Sequence, residues 1–436
     1  MDKKVLSSFI KSFRKESAKF PDKRVGKNSV YKMEDIVLSA FSMFHMQSSS
    51  FLSFQRIMQR KEGRSNAKSL FGIEKIPSDN HIRDILDDIN PKYISPLFEQ
   101  LLSSLKKSNT LEKYKYLDSY LVLLDGTNYH SSKTISCDKC LRREYSKDSI
   151  TYHHQAITPI IASPNIKRII PLMPELIGNG DGEDKQDCEI NASKRWLKRN
   201  ITLDLPIILL GDDLYSREPF CKDTIQNGKS FIFVAKEESH KVMYEHINFL
   251  DNLKELDLYQ DNQGKAHKKE LWKYKFVNEV PINGNDDSLK VNWVNVEVYD
   301  KNDKRTYYNS FITNIEITKE IVSQIAKAGR SRWKIENENN NTLKTKGYHL
   351  EHNFGHGKRH LSGFLFTLNI LAFLLHTLLD YLDENYIKAR ESSTRVEFFN
   401  TIEVLTRLIY FDSWDSLMKF LTRDRDAPLL RASDFN

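Results

Sequence analysis

The spacing of apolar residues changes about a quarter of the way along the chain. Up to about residue 110 they recur three or four positions apart, which is typical of helices with one buried face. Two such faces are carried by Met33, Ile36, Val37, Ala40, Phe41 and Phe44, and by Ile94, Leu97, Phe98, Leu101, Leu102 and Leu105. The pattern predicts an all-helical N-terminal domain over residues 1–112.

A short helix-turn-helix pattern lies within these helices, at residues 72–89. Gly72 and Pro77 predict a turn, and Ser78 or Asp79 can cap the helix that follows. The apolar face of that helix is Ile82, Ile85, Leu86 and Ile89, and its open face is His81 and Arg83. Such a pair of helices suits either DNA reading or plain packing and dimerisation.

From about residue 117 the apolar residues come in short runs bounded by turn residues, which predict strands. The predicted strands are LVLLDGT (121–127), YHHQAITPIIA (152–162), KRIIPLMPELI (167–177), PIILLGDD (206–213) and SFIFVAK (230–236). The predicted helices are CEINASKRWLKR (188–199) and REPFCKDTIQNG (217–228). Three strands followed by alternating helix and strand predict an α/β fold, with a mixed sheet flanked by helices.

This alternation stops after about residue 237. Between there and residue 318, LWKYKFV, VNWVNVEVY and TYYNSFITN predict antiparallel strands. A helix is then predicted from about Lys319 to Lys346. The predicted segments are 1–112, the helical domain; 113–237, the first part of the sheet domain; 238–318, a β-rich insertion; 319–382, the completion of the sheet domain; and 383–436, a helical tail.

An uncharged stretch from Leu361 to Leu379 is nearly long enough to span a bilayer. It contains Asn369 and His376, which lie on one helical face and would both meet lipid in a single span. We therefore expect a buried helix packed on the sheet and no membrane attachment. Four cysteines in 436 residues, and a start, MDKKVLSSFI, without an apolar signal core, are typical of the cytoplasm.

Positive charge is concentrated in two stretches of a chain whose net charge is +7. Residues 1–30 hold nine Lys and Arg against three Asp and Glu, and residues 327–360 hold eight against three. Such concentrations are typical of proteins that bind a polyanion, although each can also be a solvated face. No P-loop motif occurs in the sequence, so ATP use is not expected.

Three acidic residues far apart in the sequence are candidates for catalysis. Asp125 and Asp212 each end a predicted buried strand, and Glu336 lies on a predicted helix with basic neighbours. Adjacent strands would bring the two aspartates together, and a cation would relieve their repulsion. Oxygen ligands alone suit Mg²⁺ or Mn²⁺, and two such ions support in-line phosphoryl transfer. Strand-end aspartates also serve as turn formers and caps.

The contexts of these acids resemble those in a known family. LLDGTNY around Asp125, LLGDDLYS around Asp212 and GRSRWKIENENNNTLK around Glu336 are similar to the DDE transposases of bacterial insertion sequences, in the IS-four-like and ISNCY groups. The resemblance covers roughly Tyr116 to Leu382 and implies an RNase H-like catalytic domain. It further implies that Asp125, Asp212 and Glu336 hold two Mg²⁺ (or Mn²⁺) ions for DNA cleavage and strand transfer.

The resemblance also implies partners. Double-stranded DNA would be bound, both terminal inverted repeats and target, by a homodimer associated with the nucleoid, and the N-terminal helices would bind the DNA ends. The residues expected to contact DNA are Arg330, Arg332, Lys344 and Lys346. Two other functions remain open: an RNase H-like nuclease that cuts without strand transfer, and a catalytically retired DNA-binding protein.

This sequence departs from the family pattern in several places. On the glutamate helix, Gly329 fills the slot of a tyrosine and Leu343 that of a lysine, with Lys344 one place later. The missing tyrosine means that a hairpin intermediate is not implied. Asp213 follows Asp212 directly, in the slot of an arginine, so either aspartate can be the second ligand, although the family pattern favours Asp212.

Cysteines and histidines offer weaker metal motifs. Cys137 and Cys140 form a CxxC, for which Cys188, Cys221, His153 and His154 are candidate further ligands to zinc. His349, His352, His356 and His360 are close together in sequence, but Gly355 and Gly357 interrupt any helix there. A loop along the DNA path or a packing segment is the alternative for these histidines.

Overall fold

The computed structural model describes residues 5–24, 30–146, 149–178, 188–199, 205–264, 269–391 and 393–422. The chain forms two compact units. One, here called the helical unit, is Met1–Leu101 with Leu343–Asn436, and the other, the sheet unit, is Leu102–Thr342. The segment expected to complete the sheet domain, 319–382, is thus divided at Leu343.

The helices begin and end as follows: α1 Val5–Ser17, α2 Met33–His45, α3 Phe51–Met58, α4 Lys61–Phe71, α5 Asp79–Leu86, α6 Ser95–Lys107, α7 Glu189–Lys198, α8 Glu218–Gln226, α9 Lys241–Asn252, α10 Val322–Arg330, α11 Asn341–Thr345, α12 Leu361–Leu382, α13 Glu384–Arg390, α14 Arg395–Leu408 and α15 Trp414–Leu421. A π-helical segment, Ile335–Asn340, lies between α10 and α11. The single helix expected from about Lys319 to Lys346 is therefore interrupted.

The strands are β1 Lys115–Tyr116, β2 Ser119–Leu123, β3 Gly126–Ser132, β4 Leu141–Ser146, β5 Ser149–Ile157, β6 Ile160–Ser163, β7 Ile166–Pro171, β8 Glu175–Ile177, β9 Ile207–Gly211, β10 Ser230–Val234, β11 Asp257–Gln263, β12 Glu270–Pro281, β13 Lys290–Tyr299 and β14 Arg305–Thr313. In the main sheet their order is β11-β12-β13-β14-β10-β9-β2-β6-β7, with β1 beside β2. The predicted α/β fold with a mixed sheet is confirmed.

The centre of this sheet is parallel and its flanks are antiparallel. Strand β9 pairs in parallel with β2 on one side and with β10 on the other. All five residues of β9 are buried, as expected for a strand covered on both faces. A smaller sheet is formed by β3, β5 and β4, with β8 beside β5.

The strands expected as a β-rich insertion continue the main sheet. Strand β14 pairs antiparallel with β10, with Ile232 opposite Thr313 and Val234 opposite Phe311. Strands β13, β12 and β11 then extend the sheet outward. Pairing with β14 saturates the backbone groups that β10 would otherwise present as an exposed edge.

The uncharged stretch forms α12 in the core of the helical unit. By length and composition alone this helix could cross a membrane, but 94% of its most apolar window is buried, which is consistent with a soluble protein. Asn369 donates to the Tyr348 carbonyl (2.8 Å), and His376 is hydrogen-bonded to the Tyr348 hydroxyl (2.8 Å) and the His45 carbonyl (3.0 Å). The expectation that this helix packs on the sheet is corrected, because in the helical unit it packs against α1, α2, α5 and α13.

The helix-turn-helix pattern folds as α4, a turn and α5. Ser78 caps α5 by accepting from the His81 amide, and the predicted apolar face is buried. Arg83, however, is not on an open face. Its Nε donates to the Phe354 carbonyl (3.1 Å) and its guanidinium lies over the Phe51 ring. Arg83 is therefore held by packing within the helical unit.

Much of the N-terminal basic stretch is ion-paired inside the helical unit. Arg14 pairs with buried Asp35 at 3.0 Å, Lys19 with Glu16 and Arg24 with Asp22. Lys3, Lys4 and Lys27 lie outside the described residues. The free positive charge of this stretch is accordingly smaller than the sequence count suggests.

Candidate active site

Asp125 and Asp212 lie at the same edge of the main sheet. Each follows a central strand, β2 for Asp125 and β9 for Asp212, and the two strands pair in parallel with Leu123 opposite Leu210. The pairing continues one step further, since the Leu124 amide donates to the Leu210 carbonyl at 2.9 Å. Because the carboxyl ends of parallel neighbours meet at one edge, both aspartates emerge together.

The π-helical segment that carries Glu336 is tied to the same edge. Asn340, at its end, donates through Nδ2 to Oδ2 of Asp125 at 2.9 Å. Thr158, which follows β5, links Asp125 to Asn340. Its amide donates to the Asp125 carbonyl (3.1 Å), and its hydroxyl donates to Oδ1 of Asn340 (3.2 Å). A π-helix forms hydrogen bonds between residues five apart rather than four apart, and such segments are frequent at functional sites.

The electrostatics of Asp125 show which charges surround it. Burial is the largest cause that raises the pKa of Asp125, to about 7. The negative charges of Glu189, Asp212 and Glu336 raise it further, while the positive charge of Arg332 lowers it. Asp212 and Glu336 thus lie near enough for their charges to act on Asp125, although 87 and then 124 residues separate the three acids in sequence.

Glu189 is a fourth acid in this cluster, and sequence reasoning missed it. It is the first residue of α7 and accepts from the Gly126 amide (3.1 Å) and the Tyr215 hydroxyl (2.6 Å). Burial is the main cause that raises the pKa of Glu189, and the charge of Asp212 adds to it. A glutamate in the first turn is common in any helix, so the sequence carries no signal that marks this one.

Two glycines make room for this arrangement. A Cβ at Gly126 would overlap the carboxylate of Glu189, and a Cβ at Gly211 would lie 2.6 Å from the ring of Tyr215. Gly126 follows Asp125 and Gly211 precedes Asp212 in the sequence. The motifs LDGT and LLGDD therefore hold glycine where Glu189 and its tyrosine partner approach the strand ends.

Asp213 faces away from the cluster. Its carboxylate accepts from the Lys236 amide (2.7 Å) and the Ser239 hydroxyl (2.5 Å), after the end of β10. The charge of Asp212 instead raises the pKa of Asp125. The carboxylate of Asp212 accepts a hydrogen bond from the nearby Leu214 amide at 2.9 Å. Of the two aspartates that the sequence left open, Asp212 is the one beside Asp125.

The four basic residues expected to contact DNA have different surroundings. Arg332 pairs with Glu336 at 2.8 Å, inside the acidic cluster. Arg330 lies over the rings of Trp272 and Tyr307, 3.7 Å from Glu270. These contacts engage Arg330 with the extended sheet rather than with the cluster.

Lys344 and Lys346 belong to the helical unit. Both are exposed, and Lys344 pairs with Glu351 at 2.8 Å. Glu351 follows the His349–Leu350 segment, in which His349 has a left-handed backbone with φ of 48°. The partner of Lys344 therefore lies in the histidine-rich segment of the same unit.

The departure at Gly329 has a steric reason. A Cβ on Gly329 would lie 2.6 Å from the ring of Phe311, in β14. Helix α10 thus packs against the extended sheet at a contact that admits no side chain. A tyrosine at this position, as in the resembled family, would require α10 to move away from Phe311.

A basic pocket of about 630 Å³ borders the segment that carries Glu336. Its lining includes Lys167, Lys327, Arg330 and Lys334, together with the half-exposed ring of Trp333. Lys334 is itself buried, and its ammonium donates to carbonyls of the β6–β7 turn. Cations beside an exposed aromatic ring suit a phosphate and a base.

The acidic cluster offers oxygen donors alone. Its donors are carboxylate oxygens on strand ends and helices, the ligand set that Mg²⁺ and Mn²⁺ prefer. Burial is the main cause that raises the pKa of Asp125, and repulsion from Glu189, Asp212 and Glu336 raises it further, with Arg332 as a counter-charge. Bound cations would relieve this repulsion and return Asp125 to its ionised form.

Comparisons with known proteins add no family. No protein-family model matches the chain, and no curated protein matches it at a significant level.

Proposed function

We propose that the protein is a DNA transposase of the DDE type, encoded by an insertion sequence. The observation that carries this proposal is the convergence of Asp125, Asp212 and Glu336, with Glu189, at the carboxyl edge of the main sheet. Sequence resemblance around the same three acids supports it. The reaction is phosphodiester hydrolysis at the ends of the element, followed by strand transfer into target DNA.

In this proposal, Asp125, Asp212 and Glu336 hold two Mg²⁺ (or Mn²⁺) ions. When bound, the ions activate the attacking oxygen and stabilise the leaving one. Asn340 orients Asp125 through its 2.9 Å hydrogen bond, and Tyr215 orients Glu189 through its 2.6 Å bond. Arg332, which pairs with Glu336 at 2.8 Å, would contact a non-bridging phosphate oxygen of the DNA.

The partners follow from the reaction. The substrate is double-stranded DNA, comprising the terminal inverted repeats and the target. Two ends must be paired, so a homodimer is expected in the DNA complex. The protein would act in the bacterial cytoplasm, at the nucleoid when it is bound to DNA. Exposed lysines such as Lys11, Lys15, Lys344 and Lys346 would contact phosphates.

The alternative enzyme is an RNase H-like nuclease that cuts without joining strands. The acidic cluster serves both reactions equally, because hydrolysis and strand transfer differ in the attacking oxygen and not in the ligands. A retired DNA-binding protein is less well supported, since all three acids are present.

The test is a comparison of Glu336→Gln with Glu338→Gln. Both substitutions keep size and helix propensity, but Glu338 lies in the basic pocket, where its charge acts on Lys334. Each variant is given labelled DNA from the flanks of its own coding sequence, with Mg²⁺ or Mn²⁺. We expect nicking and strand transfer to fall at least about 100-fold in Glu336→Gln and to change little in Glu338→Gln.

Each outcome of this experiment selects one function. Wild-type nicking without strand products would favour the nuclease. Wild-type binding without metal-dependent nicking would favour the retired protein. Robust nicking by Glu336→Gln, or equal loss in Glu338→Gln, would remove Glu336 from the catalytic set.

A further inference from the structure

Two cysteines and a histidine converge in the sheet unit, on the strands that follow Asp125. Cys137 and Cys140 bound a turn between β3 and β4, in which the Cys140 amide donates to the Cys137 carbonyl at 3.0 Å. His154 lies on β5, the partner of both β3 and β4. His154 and Cys140 are both buried. They are in contact although 14 residues separate them in sequence.

The three ligand atoms are spaced as around a tetrahedral metal ion. The two sulfurs are 3.8 Å apart, and each is 3.5 Å from Nε2 of His154. With Zn–S of about 2.3 Å and Zn–N of about 2.0–2.1 Å, a tetrahedral zinc ion would separate two sulfurs by about 3.8 Å and a sulfur from a nitrogen by about 3.6 Å. All three measured separations agree with these values.

Neighbouring contacts fix the orientation of the ligands. The His154 ring stacks on Tyr129, with centroids 5.6 Å apart and planes inclined by 15°. The Cys137 amide points at the Cys140 sulfur, 3.4 Å away. The two sulfurs are 3.8 Å apart, so the pair is not a disulfide. Two thiols and an imidazole held this close together suit a shared cation.

We propose that Cys137, Cys140 and His154 bind a structural zinc ion. The fourth coordination position is left for a water molecule or a further donor. The ion would fasten the β3–β4 loop to β5. Because β3 begins at Gly126 and β5 ends beside Thr158, this fastening would act on the strands that lead directly to Asp125. This proposal does not depend on the function of the acidic cluster.

The test measures metal in the full-length protein purified without added metal or chelator. Elemental analysis is expected to find about one zinc per chain. Replacing the zinc with Co²⁺ should give an intense visible d–d spectrum together with a thiolate-to-cobalt charge-transfer band, as a tetrahedral thiolate site requires. Absence of zinc, with a cobalt spectrum typical of octahedral oxygen ligands, would overturn the proposal.

Matched variants locate the site. Cys137→Ser and His154→Ala should each lose the zinc. In the cobalt-loaded variants the charge-transfer band should be absent or weaker. The controls are His153→Ala, which changes the neighbouring histidine on β5, and Cys188→Ser, which removes an exposed thiol; both should keep about one zinc per chain. Asp125→Asn should also keep it, which separates this site from the acidic cluster. Zinc retained by Cys137→Ser and by His154→Ala would refute the assignment even if wild-type protein contains the metal.

Discussion

Arg332 has a double role among the acids of the cluster. It pairs with Glu336, and its charge lowers the pKa of Asp125 while burial, Glu189, Asp212 and Glu336 raise it. Metal binding needs Asp125 in its ionised form. In the proposed function, the charge of Arg332 would therefore help to set the pH range in which the cluster takes up a cation.

Replacement of Arg332 by Gln should shift the acid limb of the activity profile to higher pH. Without the positive charge, the pKa of Asp125 rises further, so a larger fraction stays protonated near neutrality. The measurement is the pH dependence of DNA nicking at subsaturating Mg²⁺. Arg332→Lys keeps the charge and should leave the acid limb in place while lowering the rate. An acid limb that does not move in Arg332→Gln would contradict this role.

Gly329 allows a second prediction at this scale. Gly329→Ala should lower the free energy of unfolding by about 1–3 kcal/mol, because its Cβ would press on the ring of Phe311. Urea denaturation measures the change. The control is Gly284→Ala in the same unit, where a Cβ would meet only an ordinary contact at 3.6 Å. Equal loss in both variants would show that packing against Phe311 is not the cause.

Secondary-structure elements differ in how well the sequence predicts them. Strands β2 and β9 can be predicted because each is an uninterrupted apolar run. Once the two strands pair in parallel, Asp125 and Asp212 lie beside each other at the strand ends. The π-helical segment has no comparable signature, since Ile335–Asn340 fits an ordinary helix equally well. Its connection to Asp125 through Asn340 could not be anticipated for that reason.

Long-range contacts account for the other differences. The strands of the β-rich insertion are predicted, but not their pairing with β10, because periodicity identifies strands and not their partners. Arg83 was expected on an open face, and its partner Phe354 is 271 residues away in sequence. Glu189 was missed because its role depends on Gly126 and Tyr215, neither of which is nearby in the chain.

The pair of helices α2 and α12 carries a pH-dependent contribution to stability. Burial lowers the pKa of His45 to about 3 and that of His376 well below its ordinary value. In the unfolded chain both bind a proton below about pH 6.5. Between that pH and about 3 the unfolded state thus binds more protons, and the free energy of unfolding falls as the pH falls.

His45→Phe should reduce this acid sensitivity. The ring of His45 lies among those of Phe71, Phe399 and Trp414, so an aromatic replacement keeps the surroundings apolar while it removes one of the two buried bases. Compared with wild type, the free energy of unfolding should decline less between pH 6 and pH 4, by about 1.4 kcal/mol per pH unit at most. Urea titrations at several pH values measure it. Parallel pH dependence of the two proteins would mean that His45 is not the group responsible.

The distribution of charge over the whole molecule bears on DNA binding. Several residues of the N-terminal basic stretch are ion-paired, whereas Lys11 and Lys15 are exposed, four positions apart on α1. Deleting the stretch would remove the buried residues Phe9 and Phe13 and damage the helical unit. Point substitutions are therefore the cleaner way to test it.

The double substitution Lys11→Gln and Lys15→Gln should flatten the salt dependence of DNA binding. If both lysines neutralise phosphates, the slope of log affinity against log salt should fall by about 2. Fluorescence anisotropy with a DNA duplex at several salt concentrations gives this slope. Lys19→Gln removes a lysine already paired with Glu16 and should change it little. A slope unaltered by the double substitution would show that α1 does not touch DNA.

The helical unit is assembled from both ends of the described chain, and this has a consequence during synthesis. Helix α2 packs on α12, and the sheet unit lies between them in sequence. A ribosome adds about 5–20 residues per second, so roughly 15–65 s separate the synthesis of Leu101 from that of Leu421. Until the second part of the unit is made, the first helices await their partners with apolar side chains such as Phe44, which contacts Phe354, uncovered. During that time the nascent chain is a substrate for chaperones and proteases.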